Sequence, residues 1–196
     1  IGDIGTTSFY PSKNLGAYGD GGAIFTNNSS LANKIKLIAN HGQNKRYFHK
    51  IVGCNSRLDS LQAEVLNVKL KYLQIYNLNR QRMAENYNES FKDIKSLKIP
   101  KVIGNSTHVY HQYTLKVLDD SRDSLMDYLS SKGVPSMIYY PVPLYRQEAF
   151  KNYYDNNYFL ENTEELSKSV ISLPIHSEIE NSNQEKIINE VLNFFK

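Results

Sequence analysis

Lys13 has the most suggestive chemical surroundings in the sequence. It lies in SFYPSKNLGAYGDGGAIFTN, five residues after Ser8, with Gly16, Gly19, Gly21 and Gly22 beyond it. A long amine would be held there where side-chain-free backbone lets a ligand approach closely. The same residue types also make an ordinary solvated loop, and spacing alone leaves both readings open. No Lys follows the glycines in Walker A order and GxGxxG is absent, so neither nucleotide fingerprint is satisfied. Ser8 alone reads as an outward residue on a strand, and Asp20 as a turn former. The 5 His residues show neither HxxxH nor HxH spacing and give no metal signal. Cys54 is the single cysteine, which excludes an internal disulfide and a multi-cysteine metal site.

The elements that must position these groups come from a chain of 196 residues, enough to bury roughly 70% of its unfolded surface in one domain or two small ones. Hydrophobic residues at 40% and charged residues at 22% argue against disordered and fibrous classes. Scattered basic residues and a net charge of +3 give no nucleic-acid footprint, and no apolar run of about 18 residues offers a membrane span. A reducing, cytoplasmic setting is expected. The opening Ile-Gly-Asp reads as the interior of a domain, so the chain is expected to be a fragment.

TTSFY reads as a strand and AIFT, residues 23–26, as a second, buried one, followed by a helix over 31–39. NHGQNKRYFHK is a polar connecting stretch. Leu58, Leu61, Val65, Val68, Tyr72 and Ile75 then mark one helical face, with Ser56 and Asp59 resembling a capping box. No Pro or Gly interrupts 58–98, so one helix is expected from about Leu58 towards Phe91, roughly 50 Å long, bridging two subdomains or building an oligomer face; a core helix is the plainer reading. After Pro100, strand-like QYTLKV, a helix over 121–132 stopping at Gly133, and strand-like SMIYY suggest a small α/β subdomain. Residues 160–169 are weakly helical, Ser182 with Glu185 forms a capping box before a last packed helix, and NYYDNNYF reads as a surface loop.

The Lys13 segment resembles the cofactor-lysine signature of the DegT/DnrJ/EryC1/StrS sugar aminotransferases, and the likeness continues in order through NHGQNKRYFHKIVGCNSRLDSLQAEVLNVKL, HVYHQYTLKV, GVPSMIYYPVPLYRQEAF and ISLPIHSEI. It spans essentially the whole chain but only the C-terminal part of the family, implying a large portion before Ile1. The implied fold class is α/β, the pyridoxal 5′-phosphate (PLP)-dependent transferase fold type I: the end of the large cofactor domain with the start of a linking helix at 1–76, and a small C-terminal α/β domain at 77–196. The implied activity is transfer of an amino group, commonly from L-glutamate, to a keto group on a UDP- or dTDP-linked sugar, in a homodimer with shared active sites, supplying amino sugars for surface polysaccharides. A regulatory or dehydratase homologue and a non-catalytic fragment are the alternatives.

By that resemblance Lys13 is the catalytic lysine that bonds PLP covalently, and then moves a proton as general acid and base. A lysine of ordinary basicity is almost wholly protonated near neutral pH, so a nucleophilic role needs a site that favours the neutral amine. A dehydratase branch carries His where this chain has Lys13, which favours amino transfer. Ser8 matches a position that hydrogen-bonds the PLP phosphate. Asn55 matches one that reaches the phosphate of the neighbouring subunit, with a helix N-terminal cap as its structural alternative. His41, in the loop HGQ, is a substrate-binding candidate linked to 3-keto sugars, or a structural histidine. Tyr145 stands where many relatives have His in a substrate loop, so hydrogen bonding to sugar survives the change while proton shuttling is placed in doubt. Arg57 reads as an ion-pair partner or an anion contact, and His176 as a local structural contact.

Overall fold

The computed structural model describes residues 2–153 and 159–196, and the chain divides into two compact units, Ile1–Gln74 and Ile75–Lys196. In the first unit, β1 (Gly5–Ser8) and β2 (Gly22–Phe25) form an antiparallel ribbon in which Ser8 faces Gly22. α1 (Ser29–Ala39) follows. Asn28 begins it as an N-cap, its side-chain oxygen accepting the Ser30 and Leu31 N–H groups at 2.9 and 3.1 Å.

The polar stretch after α1 is not merely a connection. It folds into a hairpin, β3 (Gln43–Lys45) with β4 (Phe48–His49), and Asn40 pairs with Asn55 in an isolated bridge. The long helix expected from Leu58 is two helices, α2 (Ser60–Leu70) and α3 (Leu73–Phe91). The backbone tightens between them, Tyr72 N–H reaching the Lys69 carbonyl three residues back at 3.0 Å. The Ser56–Asp59 capping box is also absent, because Ser56 N–H is drawn to the Ala39 carbonyl at 3.0 Å and Asp59, in extended conformation, is the N-cap.

Two expectations of burial fail in this unit. The AIFT strand is largely exposed at Ile24 and Phe25, and the apolar face of the second helix is open, with Leu61 80% exposed, so it does not make a core helix. The buried α2 residue is Leu66, off the expected stripe.

The second unit carries the main core. α3 contributes Met83, Tyr87 and Phe91 to it. An antiparallel sheet follows in the order β5 (Leu97–Lys98), β6 (Tyr113–Val117), β7 (Val170–Leu173), with α4 (Arg122–Ser131), α5 (Glu161–Ser169) and α6 (Asn181–Phe194). β6 alternates, burying Tyr113, Leu115 and Val117, whereas β7 is buried throughout. The sheet meets Leu125 and Leu129 of α4 and Ile187 and Val191 of α6 in one cluster. Gly133 ends α4 at φ +70, a backbone state that glycine adopts without strain. SMIYY forms only a single bridge, Met137 to Ser172, and α6 starts from Glu180, ahead of the expected Ser182 cap. Of NYYDNNYF, residues 154–158 lie outside the described residues.

Two buried cations tie this unit together. Arg80 Nη1 donates to the carbonyls of Tyr110, His111 and Ile175 at 3.1, 3.2 and 2.9 Å. Arg122 Nη1 donates to the Ser167 and Val170 carbonyls, both at 3.1 Å. Backbone acceptors that would otherwise lose water on burial are thereby satisfied.

Candidate functional site

Lys13 sits in the loop that joins β1 to β2. Phe9 N–H donates to the Gly21 carbonyl and Ala17 N–H to the Phe9 carbonyl, each at 2.8 Å, closing the loop at its base. Within it, Lys13 N–H donates to the Tyr10 carbonyl at 2.8 Å, a tight turn with Pro11 second, where its fixed φ suits the bend. Lys13 itself is half-buried. Ser8, the last residue of β1, accepts the Tyr10 N–H on its Oγ at 3.2 Å and so touches the same turn.

The turn leans on glycine for lack of room. A Cβ at Gly16 would stand 2.4 Å from the Pro11 carbonyl oxygen and 2.9 Å from that of Tyr10. At Gly22 it would stand 2.9 Å from the Thr7 carbonyl oxygen. α2 clamps the other side of the loop. Lys69 Nζ donates to the Gly16 carbonyl at 2.6 Å and lies 5.2 Å from the Tyr18 ring centroid, while Gln62 Oε1 accepts the Tyr18 N–H at 2.7 Å. Gln62 and Lys69 belong to no motif that marks them as positioning residues. Their spacing of seven, two helical turns on one face, was the available signal.

Asn55 is not a helix cap. It pairs with Asn40, and its Oδ1 accepts Arg57 Nε–H at 2.9 Å, so an exposed amide and a guanidinium stand together just before α2. His41 occupies the left-handed region at φ 57 in the turn after α1. Its backbone holds the local structure: its N–H donates to the Cys54 carbonyl and its carbonyl lies against His49 Nδ1, each at 2.9 Å, while its side chain is exposed. Gly42 beside it, at φ +69, has no space for a Cβ, which would lie 1.7 Å from the Ile51 carbonyl oxygen.

Tyr145 belongs to the second unit, in a short 3-10 turn over Leu144–Arg146. Its hydroxyl donates to Glu164 of α5 and accepts the Leu160 N–H at 3.3 Å, and Arg146 Nε donates to the same Glu164 oxygen. Tyr145 and then Arg146 hold the Glu164 carboxyl below the usual carboxylate range. The hydroxyl is thus engaged within its own unit. His176 accepts the Glu178 N–H on Nδ1 at 3.2 Å, the local contact expected of it, and desolvation followed by the Arg80 charge lowers its pKa.

The family model of the DegT/DnrJ/EryC1/StrS aminotransferase family matches residues 1–192. UDP-2-acetamido-2-deoxy-3-oxo-D-glucuronate aminotransferase of Pseudomonas aeruginosa is 43% identical over 176 residues, 90% of this chain and 47% of its own length. The crystal structure of a DegT DnrJ EryC1 StrS aminotransferase from Brucella abortus superposes with a TM-score of 0.90 at 39% identity, covering 100% of this chain and 52% of that one. NtdA from Bacillus subtilis, solved with bound cofactor PMP, gives 0.89 at 29% identity, covering 98% of this chain and 46% of that one. The chain spans about half the length of these relatives.

Proposed function

The chain belongs to the DegT/DnrJ/EryC1/StrS aminotransferase family, and from that premise we propose that it forms part of a PLP-dependent enzyme that transfers an amino group, commonly from L-glutamate, to a keto group of a UDP- or dTDP-linked sugar. Residues 1–76 are the end of the large cofactor domain and the start of the linking segment, and 77–196 the small domain. The full-length protein is a cytoplasmic homodimer with shared sites that serves surface polysaccharide synthesis.

The observation that carries this reading is the Lys13 turn, a half-buried lysine in a loop closed by backbone hydrogen bonds, where Gly16 and Gly22 leave no room for a side chain. The residues present fit the cofactor. Lys13 offers the amine for its aldehyde and Ser8 a hydroxyl to its phosphate, while Asn55 offers an amide to the phosphate bound in the neighbouring subunit. Bound PLP supplies an electron-withdrawing ring that makes the proton on the substrate carbon removable. Lys13 Nζ takes that proton and returns it, and the clamp from Lys69 and Gln62 fixes where its backbone starts. His41 and Tyr145 are the substrate-side candidates. Tyr145 acts there through a hydroxyl already oriented by Glu164.

Lys13→Ala in the full-length protein should abolish amino transfer, and borohydride reduction of the wild type with PLP followed by peptide mapping should place the label on Lys13. A label on another lysine, or transfer undiminished in the variant, would overturn the assignment. The family relative from Pseudomonas acts on a 3-oxo UDP-sugar, which together with the HGQ loop favours 3-keto sugars as the substrate class.

A further inference from the structure

In the second unit a cavity of about 670 Å³ separates the loop over residues 139–147 from α5 and β7. Tyr139, Val142, Pro143 and Leu144 line it from the loop, and Leu166 and Val170 from the opposite wall. Tyr140 is 72% and Leu144 67% exposed, so burial of these apolar side chains does little to fix where the loop sits. A segment with so little packing is placed by its polar ties.

The entry to the loop is anchored, Met137 and Ser172 exchanging both backbone hydrogen bonds at 3.1 and 2.7 Å. Further along, the ties converge on one carboxylate. Tyr145 Oη and Arg146 Nε donate to the same Glu164 oxygen, and Leu160 N–H, at the start of α5, donates to the Tyr145 hydroxyl at 3.3 Å. The Glu164 side chain is only 12% exposed, which strengthens charge-assisted bonds that water would weaken. Glu164 is itself fixed in α5: its N–H donates to the Leu160 carbonyl at 2.9 Å and its carbonyl accepts the Ser167 hydroxyl at 2.8 Å. A fixed acceptor thus holds a loop that has room to move.

We propose that Glu164 is a positioning residue for the sugar-nucleotide half of the reaction: it latches the 139–147 loop to α5 and, through Tyr145, sets where the substrate-side hydroxyl stands. What Tyr145 touches rests on the aminotransferase reading; the latch rests on the geometry of the second unit alone. Cofactor and amino-donor chemistry are assigned to Lys13 in the first unit, so a released latch should weaken one half-reaction and spare the other.

The test uses the full-length protein with Glu164→Met, close in length but without an acceptor, and Glu164→Gln, which keeps an acceptor oxygen. Arg146 and Gln147 N–H bond within the loop, to the Pro143 and Leu144 carbonyls at 2.9 and 3.1 Å. In Glu164→Met, hydrogen exchange of residues 144–147 should quicken at least about tenfold while β6 amides keep their protection. With L-glutamate as donor and a 3-oxo UDP-sugar as acceptor, the KM for the sugar nucleotide should rise at least about tenfold, and the glutamate half-reaction, followed by cofactor absorbance, should stay within about twofold of wild type. Glu164→Gln should fall between Glu164→Met and wild type in both exchange and KM. Adding Tyr145→Phe to Glu164→Met should raise that KM by no more than about twofold further, because the tie is already cut. Unchanged exchange at 144–147, equal slowing of both half-reactions, or additive effects in the double variant would each overturn the proposal. A wild-type enzyme that transfers no amino group would instead refute the aminotransferase reading, and the exchange measurement would still decide the latch.

Discussion

Gly16 sets the geometry of Lys13 although it has no side chain of its own. A Cβ added to it would run into the Pro11 and Tyr10 carbonyls, and its own carbonyl accepts Lys69 Nζ. Gly16→Ala therefore opens the turn, and overpacking of this kind costs about 1–3 kcal/mol. The expected outcome in the full-length protein is a fall in transfer rate of at least about tenfold with a smaller change in substrate KM, read from steady-state kinetics, because the lysine is misplaced rather than lost. The lysine and its glycines stood out from residue type alone. Gln62 and Lys69 did not, since their partners lie 44 and 53 residues away in the chain.

At the scale of elements, two ties in the second unit make separate predictions. Arg80→Met strands the three carbonyls that hold 110–111 and 175 against α3, and leaving a buried acceptor unsatisfied costs about 1–3 kcal/mol. Urea unfolding followed by tyrosine fluorescence should record the lower midpoint. Glu164 links α5 to the Tyr145 turn, and its folded pKa is lowered by Tyr145 and Arg146. Its stabilisation is complete above the unfolded value of 4.5 and is lost as pH falls through the lower folded value. Glu164→Gln should flatten the acid limb of the stability profile between about pH 5 and pH 3, and a limb as steep as wild type would contradict the linkage. The α1, β6 and α4 elements were legible because their apolar period is their own. The β3–β4 hairpin was not, because QNK and FH are too short and polar to carry a period.

Across the whole molecule, burial is unequal. The clustered core of Tyr87, Tyr113, Leu115, Leu125, Ile171 and Val191 belongs to the second unit, while the first buries few apolar side chains, Ala17 and Leu66 among them. A two-stranded ribbon with little apolar cover is marginal in water. Hydrogen exchange on this 196-residue chain should accordingly show its slowest amides in β6 and β7 and its fastest ladder amides in β1 and β2. Equal protection in both sheets would contradict the burial argument.

The sequence by itself determined the chemical inventory and most of the periodic elements: a lysine in a glycine-rich loop, one cysteine, the alternation of YTLKV and the glycine stop after α4. These depend on residue types and short spacings, which are local. Tertiary structure alone decided that the helix after Asp59 breaks at residues 71–72, that Asn55 pairs with Asn40 instead of capping a helix, and that Tyr145 is bound to Glu164. Each of these turns on which distant backbone or side-chain group competes for the same hydrogen bond or charge, and that competition is settled only when the chain is folded.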